Sequence, residues 1–174
     1  MLEAKVLRKK DYTTNRYRLI SIDPSINNVG IAVWELPNVL MEYKLLHPKV
    51  GQRGNEYDKS LSILHQVKEW IQIYEINRMI LEVPEHWAVG GFEARETGSM
   101  TKLVLVVGML YTLIDELDEL KIVKPREWKG QLSKEVMENR LREDYTAIGV
   151  DLAALNPNVV DAIGIGHFYI TGSV

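Results

Sequence analysis

The chain reads as an α/β protein, a mixed sheet carrying helices on both faces. Two observations predict this. Three short apolar runs follow one another between residues 17 and 46, after which the apolar spacing switches to three and four residues from Asn55. Thereafter short strand-like runs alternate with longer helical ones. The resulting order, βββαβαβαα, contains nothing that marks a second domain.

Each element has its own sequence reason. Tyr17 to Asp23 (YRLISID) is a strand entering the core and ending at an Asp-Pro turn. Val29 to Trp34 and Val39 to Leu46 are the next two, with Pro37-Asn38 turning between them, so the three form an antiparallel meander. From Asn55 to Tyr74 the apolar positions Leu61, Leu64, Val67, Ile71 and Tyr74 predict an amphipathic helix. Arg78 to Val83 is a fourth strand stopped by Pro84, and a loop around Gly90 follows. Ser99 to Leu117 reads as a helix that is apolar nearly all round between Leu103 and Val107, which therefore needs cover on two sides. Lys121 to Lys124 is a short fifth strand before Pro125, and Leu132 to Asp144 a helix with Ser133 as candidate N-cap. Pro157 to Tyr169, with proline in its first turn, is a buried C-terminal helix.

The 174 residues, 46% hydrophobic and 26% charged, suffice for one domain with a substantial core. The absence of cysteine excludes disulfides, thiolate zinc sites and cysteine nucleophiles. The N-terminal stretch MLEAKVLRKKDYTTNRYR lacks the apolar centre of a signal peptide, and residues 1–16 read as a flexible basic extension. The longest apolar run, from Leu103 onward to Ile114, falls short of the ~20 residues that span a bilayer. A cytoplasmic protein without membrane contact is expected.

A net charge of −3 does not by itself favour nucleic acid, but its distribution does. Between Lys121 and Lys134 five basic residues stand against the single acid Glu127, a net of +4, so the remainder carries −7. Arg8, Lys9, Lys10, Arg16 and Arg18 form a second basic cluster. A solvated surface is the plain alternative for both.

Three acids stand where the apolar pattern does not want them. Asp23 ends the first strand, Glu82 lies in the apolar fourth strand, and Asp161 interrupts the C-terminal helix. With separations of 59 and 79 residues, only the fold could unite them. Two like charges ~4 Å apart repel by roughly 4 kcal/mol at an effective dielectric near 20, so such a cluster needs protons or cations. Hard divalent ions with oxygen ligands are the natural partners, and two of them can clamp a phosphodiester for in-line displacement. The alternatives remain open residue by residue. Asp23 before Pro24 also suits a plain turn, and Glu82 also suits a salt bridge with Lys102 or Arg78.

These residues carry a resemblance. Ile20-Ser21-Ile22-Asp23-Pro24-Ser25 followed by Gly30 resembles the first motif of the RuvC-type Holliday junction resolvases of bacteria and bacteriophage, and Leu81-Glu82-Val83 resembles the second. The helix from Gly98 to Leu113, with Ser99 and Lys102, is similar to the helix in that family's dimer interface. Pro125-Arg126-Glu127-Trp128-Lys129, then Lys134, resembles its basic segment near the scissile phosphate, and Asp161-Ala162-Ile163-Gly164-Ile165-Gly166-His167 its terminal acid helix. The five motifs run in order from about residue 17 to 170.

The resemblance implies an RNase H-like fold, a five-stranded mixed sheet with three antiparallel strands and then two parallel ones. It implies an endodeoxyribonuclease that resolves four-way DNA junctions as a homodimer, with two Mg²⁺ ions per site for which Mn²⁺ substitutes. Asp23, Glu82, Asp161 and Asn158 would be the metal ligands and, with Lys129, the catalytic set. Lys102, Lys124, Arg126, Lys129 and Lys134 would bind DNA. One departure stands out: three residues before Asp161, where the family carries an acid or histidine, this chain has Asn158.

His167 lies roughly 240° round the helix from Asp161 and is expected to be structural. Glu85 and His86, beyond the second motif, are further candidates for the site. Trp87 and Phe92 in the following loop suit either stacking on unpaired bases or covering the core edge, and Trp128 is similarly ambiguous. Competing functions are another RNase H-like nuclease acting on branched DNA or RNA–DNA hybrid, and a non-catalytic junction binder. An actin-like ATPase would need two such lobes.

Overall fold

A computed structural model of the chain describes residues 17–51, 54–83, 99–130 and 132–172. The basic extension 1–16, the loop bearing Glu85, His86, Trp87, Gly90 and Phe92, and the side chain of Lys134 lie outside the described residues.

Five strands form one sheet in the order β3-β2-β1-β4-β5: β1 (Arg18–Asp23), β2 (Val29–Glu35), β3 (Val39–Leu46), β4 (Arg78–Glu82) and β5 (Glu119–Val123). β1, β2 and β3 pair antiparallel, while β1, β4 and β5 run parallel. This is the expected mixed sheet. β1 is central and covered on both faces, which is why Leu19, Ile20, Ser21 and Ile22 are all fully buried.

Period-two alternation divides the sheet into two cores. Ile20, Ile22, Ile31, Val33, Met79 and Leu81 face α1 (Glu56–Ile73) and α2 (Ser99–Tyr111). Leu19, Ala32, Trp34, Ile80 and Val123 face the other way, onto α3 (Pro125–Trp128), α4 (Lys134–Thr146) and α5 (Pro157–Thr171).

α1 begins at a capping box, Asn55 and Asp58 each accepting the other's backbone N–H at 3.0 Å. Its buried face comprises Ile63, Val67 and Ile71, with Gln66 donating to the His47 carbonyl at 2.9 Å; Leu61 and Leu64 are only half-buried. The α-helical part of α2 is shorter than expected. It passes at Thr112 into a 3₁₀ turn ending at Glu116, where the Thr112 hydroxyl donates to the Met109 carbonyl and competes with the helical ladder. β5 starts two residues early, because the N–H groups of Asp118 and Glu119 both reach the Asn77 carbonyl and open the pairing there. α3 is an additional single turn that no periodicity announced. α4 lies two residues beyond its expected span, capped by Ser133 as foreseen.

α5 lies directly against β1 and β2, and glycine is what permits it. A Cβ on Gly30 of β2 would meet the Asn158 carbonyl oxygen at 1.9 Å, and one on Gly166 the Trp34 indole at 2.1 Å. Each mid-helix glycine costs roughly 1 kcal/mol of helix propensity, offset by this close approach. Beneath the helix, Ser21 Oγ donates to the Ala162 carbonyl at 2.7 Å and accepts from Trp34 Nε1 at 3.1 Å. The helix ends at Gly172 in the left-handed conformation, φ +79°. No described helix is long and apolar enough to cross a membrane.

Candidate active site

The same alternation that sorts the cores sorts the acids. Leu19, Ser21 and Asp23 share one face of β1, and Ile80 and Glu82 share that face of β4; it is the face that α5 covers. The β1–β4 register pairs Ile22 with Leu81, so the next position along each strand carries Asp23 and Glu82. Neighbouring strands lie ~4.8 Å apart, so the two carboxylates leave the sheet side by side at its C-terminal edge.

α5 brings the third. Asp23 pairs across β2 with Gly30, and Gly30 lies under the Asn158 backbone, while Ala162 sits over Ser21. Asp161, between them in α5, therefore belongs to the same edge and is half-buried. Asn158 belongs there too, with its amide committed: Nδ2 donates to the Asn28 carbonyl in the β1–β2 loop at 2.9 Å.

The basic residues divide. Lys129 Nζ stands 3.9 Å from Asp161 Oδ2 and 4.9 Å from the centre of the Trp128 ring. Lys124 and Arg126 are exposed at α3. Lys102 pairs with Glu56 at 3.4 Å, linking α2 to α1, and Arg78 with Glu119 at 3.4 Å. Glu82 Oε2 accepts a hydrogen bond from Trp128 Nε1 at 2.5 Å. Trp128 and the Asn28–Asn158 bond are the two features of this edge that sequence reasoning did not assign. The signal for Trp128 was an indole in a basic run, and a buried indole N–H needs an acceptor.

His167 lies away from this edge. Its Nδ1 is 2.9 Å from the Tyr145 hydroxyl and its Nε2 3.7 Å from Asp144. Burial holds the imidazole below its ordinary pKa, with Asp144 opposing, and burial also pushes the Tyr145 hydroxyl well up.

Asp23, Glu82, Asp161 and Asn158 offer only hard oxygen donors, the chemistry Mg²⁺ or Mn²⁺ takes. In kind and in placement on the fold they fit such an ion. Among the described residues no group of three or more His, Cys, Asp or Glu is drawn together so as to hold a metal. Glu82 is turned to Trp128 and Asp161 toward Lys129.

No family model and no curated protein matches the chain. Solved structures do. Thermus thermophilus RuvC in complex with a Holliday junction substrate superposes with TM-score 0.67 at 19% identity, over 88% of this chain and 94% of that one. A second Thermus thermophilus RuvC structure gives 0.65 at 15% identity, over 90% and 97%. The yeast mitochondrial Holliday junction resolvase Ydc2 gives 0.64 at 11% identity, over 89% and 78%. At such identities the likeness is one of fold, the RNase H-like α/β fold of these resolvases.

Proposed function

We propose that the chain is a metal-dependent endodeoxyribonuclease that resolves four-way DNA junctions as a homodimer. One observation carries the reading. Two acids far apart in sequence end neighbouring strands on one face of the sheet, and a third, beside a lysine, lies on the helix that covers that face, in a fold shared with junction resolvases. A structural salt-bridge network would not need all three carboxylates on the same face of neighbouring elements.

In this reading Asp23, Glu82 and Asp161 hold two Mg²⁺ or Mn²⁺ ions, with Asn158 offering its neutral carbonyl oxygen. When bound, the ions supply Lewis-acid neutralisation of the charge that builds on the phosphodiester. The protein's own contribution is positional. α5 and the parallel pair β1–β4 fix where the carboxylates emerge, and Lys129 holds a positive charge where a phosphate oxygen would lie. Lys124, Arg126 and Lys134 extend that charge along the DNA backbone, and Lys102 adds to it from α2.

The test is cleavage of a four-way junction, a duplex and an RNA–DNA hybrid, with Mg²⁺ and with chelator. Junction-selective, Mg²⁺-dependent cutting is expected, reduced by orders of magnitude in Asp23→Asn, Glu82→Gln and Asp161→Asn with folding retained. Normal cutting by all three variants would sink the site assignment. The absence of a gathered acid cluster among the described residues favours one second reading, a non-catalytic junction binder. Tight binding to the junction without cleavage would select it.

A further inference from the structure

We infer that Trp128 is a positioning residue, whose buried indole fixes Glu82 for metal. This rests on the metal-dependent reading above. Trp128 is 3% exposed, and its Nε1 donates to Glu82 Oε2. The ring is packed in on the α5 side. A Cβ on Gly164 of α5 would meet Trp128 Cζ3 at 2.7 Å, and Leu141 of α4 belongs to the same buried cluster. Gly164 is thus explained by the indole it accommodates.

A half-buried carboxylate that accepts an N–H from a buried indole has one oxygen fixed and its plane set. Outer partners of this kind orient metal ligands, and their removal typically lowers metal affinity or activity 10–100-fold. The same segment reaches the second acid. Lys129, next in sequence, lies over the Trp128 ring and near Asp161. The single turn of α3 therefore sets two of the three carboxylates from one anchor in the core.

The test measures metal binding directly. Mn²⁺ titration by calorimetry should show affinity lost in Glu82→Gln and weakened about 10-fold in Trp128→Phe, with the unfolding midpoint of the latter little changed. Should Trp128→Phe fail to fold, the wild-type chain still decides. Among the four tryptophan indole N–H resonances, one should shift in Glu82→Gln and move on Mg²⁺ addition with the calorimetric midpoint. Undiminished Mn²⁺ binding by Trp128→Phe, or Mg²⁺ binding that moves no indole resonance, overturns the positioning role and leaves the metal reading standing. If Glu82→Gln binds Mn²⁺ as tightly as wild type, or the wild type binds no divalent ion, the metal reading itself fails and the positioning role with it.

Discussion

Asn158 shows how a single side chain ties the site to the fold. In the related pattern an acid or histidine stands there, and an aspartate would add charge to a metal site. Here the amide nitrogen donates to the Asn28 carbonyl, and a carboxylate in its place would set acceptor against acceptor. Asn158→Asp should therefore be destabilised in chelator by about 1 kcal/mol, the usual net value of such a bond. Mg²⁺ should then raise its unfolding midpoint more than it raises that of the wild type. Equal Mg²⁺ responses in the two proteins, by thermal unfolding, would place Asn158 outside the metal site. The acids drew attention as candidates because each interrupts an apolar run, and a buried carboxylate is costly enough to require a reason. Trp128 was not. An aromatic among basic residues reads equally as core or as a base-stacking platform, and only packing separates the two. The Asn28 carbonyl was equally hidden, since a backbone acceptor leaves no trace in side-chain identity.

Among the elements, the strands were read nearly to their ends because alternation and turn residues delimit them. β5 was misplaced because its first residues, Glu119 and Leu120, are recruited by backbone pairing with Asn77, Arg78 and Met79 rather than by their own pattern. α3 was missed because four residues hold no period. The glycines of α5 were legible as a demand for close packing, and Gly30 gives that demand a test. Its Cβ would collide with backbone, which cannot swing aside, so Gly30→Ala must lift the start of α5. A loss of a few kcal/mol is expected, of the order of an overpacked core, measured by denaturant unfolding. A change under ~0.5 kcal/mol would mean that α5 does not lie on β2 there. The α4–α5 contact predicts a pH effect. His167 is held below its ordinary value chiefly by burial, so the unfolded chain takes up its proton more readily than the folded one. Stability is then fully present above the unfolded value of about 6.5 and falls as pH drops through the window below it. His167→Gln should flatten unfolding midpoints across that window; an unchanged slope would exclude His167 as the source.

At the scale of the molecule, the sequence demanded cover on two sides for the helix from Ser99, and the structure supplies part of it. Val106, Leu110 and Leu113 are buried toward the sheet, and α1 lies alongside, joined by Lys102–Glu56 and Lys68–Glu116. What remains is a stripe at helical spacing: Val104, half-exposed, then Gly108, then Tyr111 at 43%. Among the described residues nothing covers it. Pairing with the same stripe of a second copy would, and two-fold pairing is the commonest closed arrangement. The proposed chemistry would favour it as well, since resolving a four-way junction takes two symmetric nicks and two sites at a fixed separation. Gly108 sharpens the test because a Cβ there meets none of the described residues within 4 Å. In a monomer Gly108→Ala should stabilise α2 by up to about 1 kcal/mol. In a closely packed dimer the added methyl should weaken association instead, and Val104→Glu should abolish it while the fold survives. Sedimentation equilibrium at micromolar concentration is expected to give twice the 20.0 kDa of one chain. A monomer both free and junction-bound, with Gly108→Ala simply more stable, would remove the dimer and most of the case for a resolvase over a simpler nuclease.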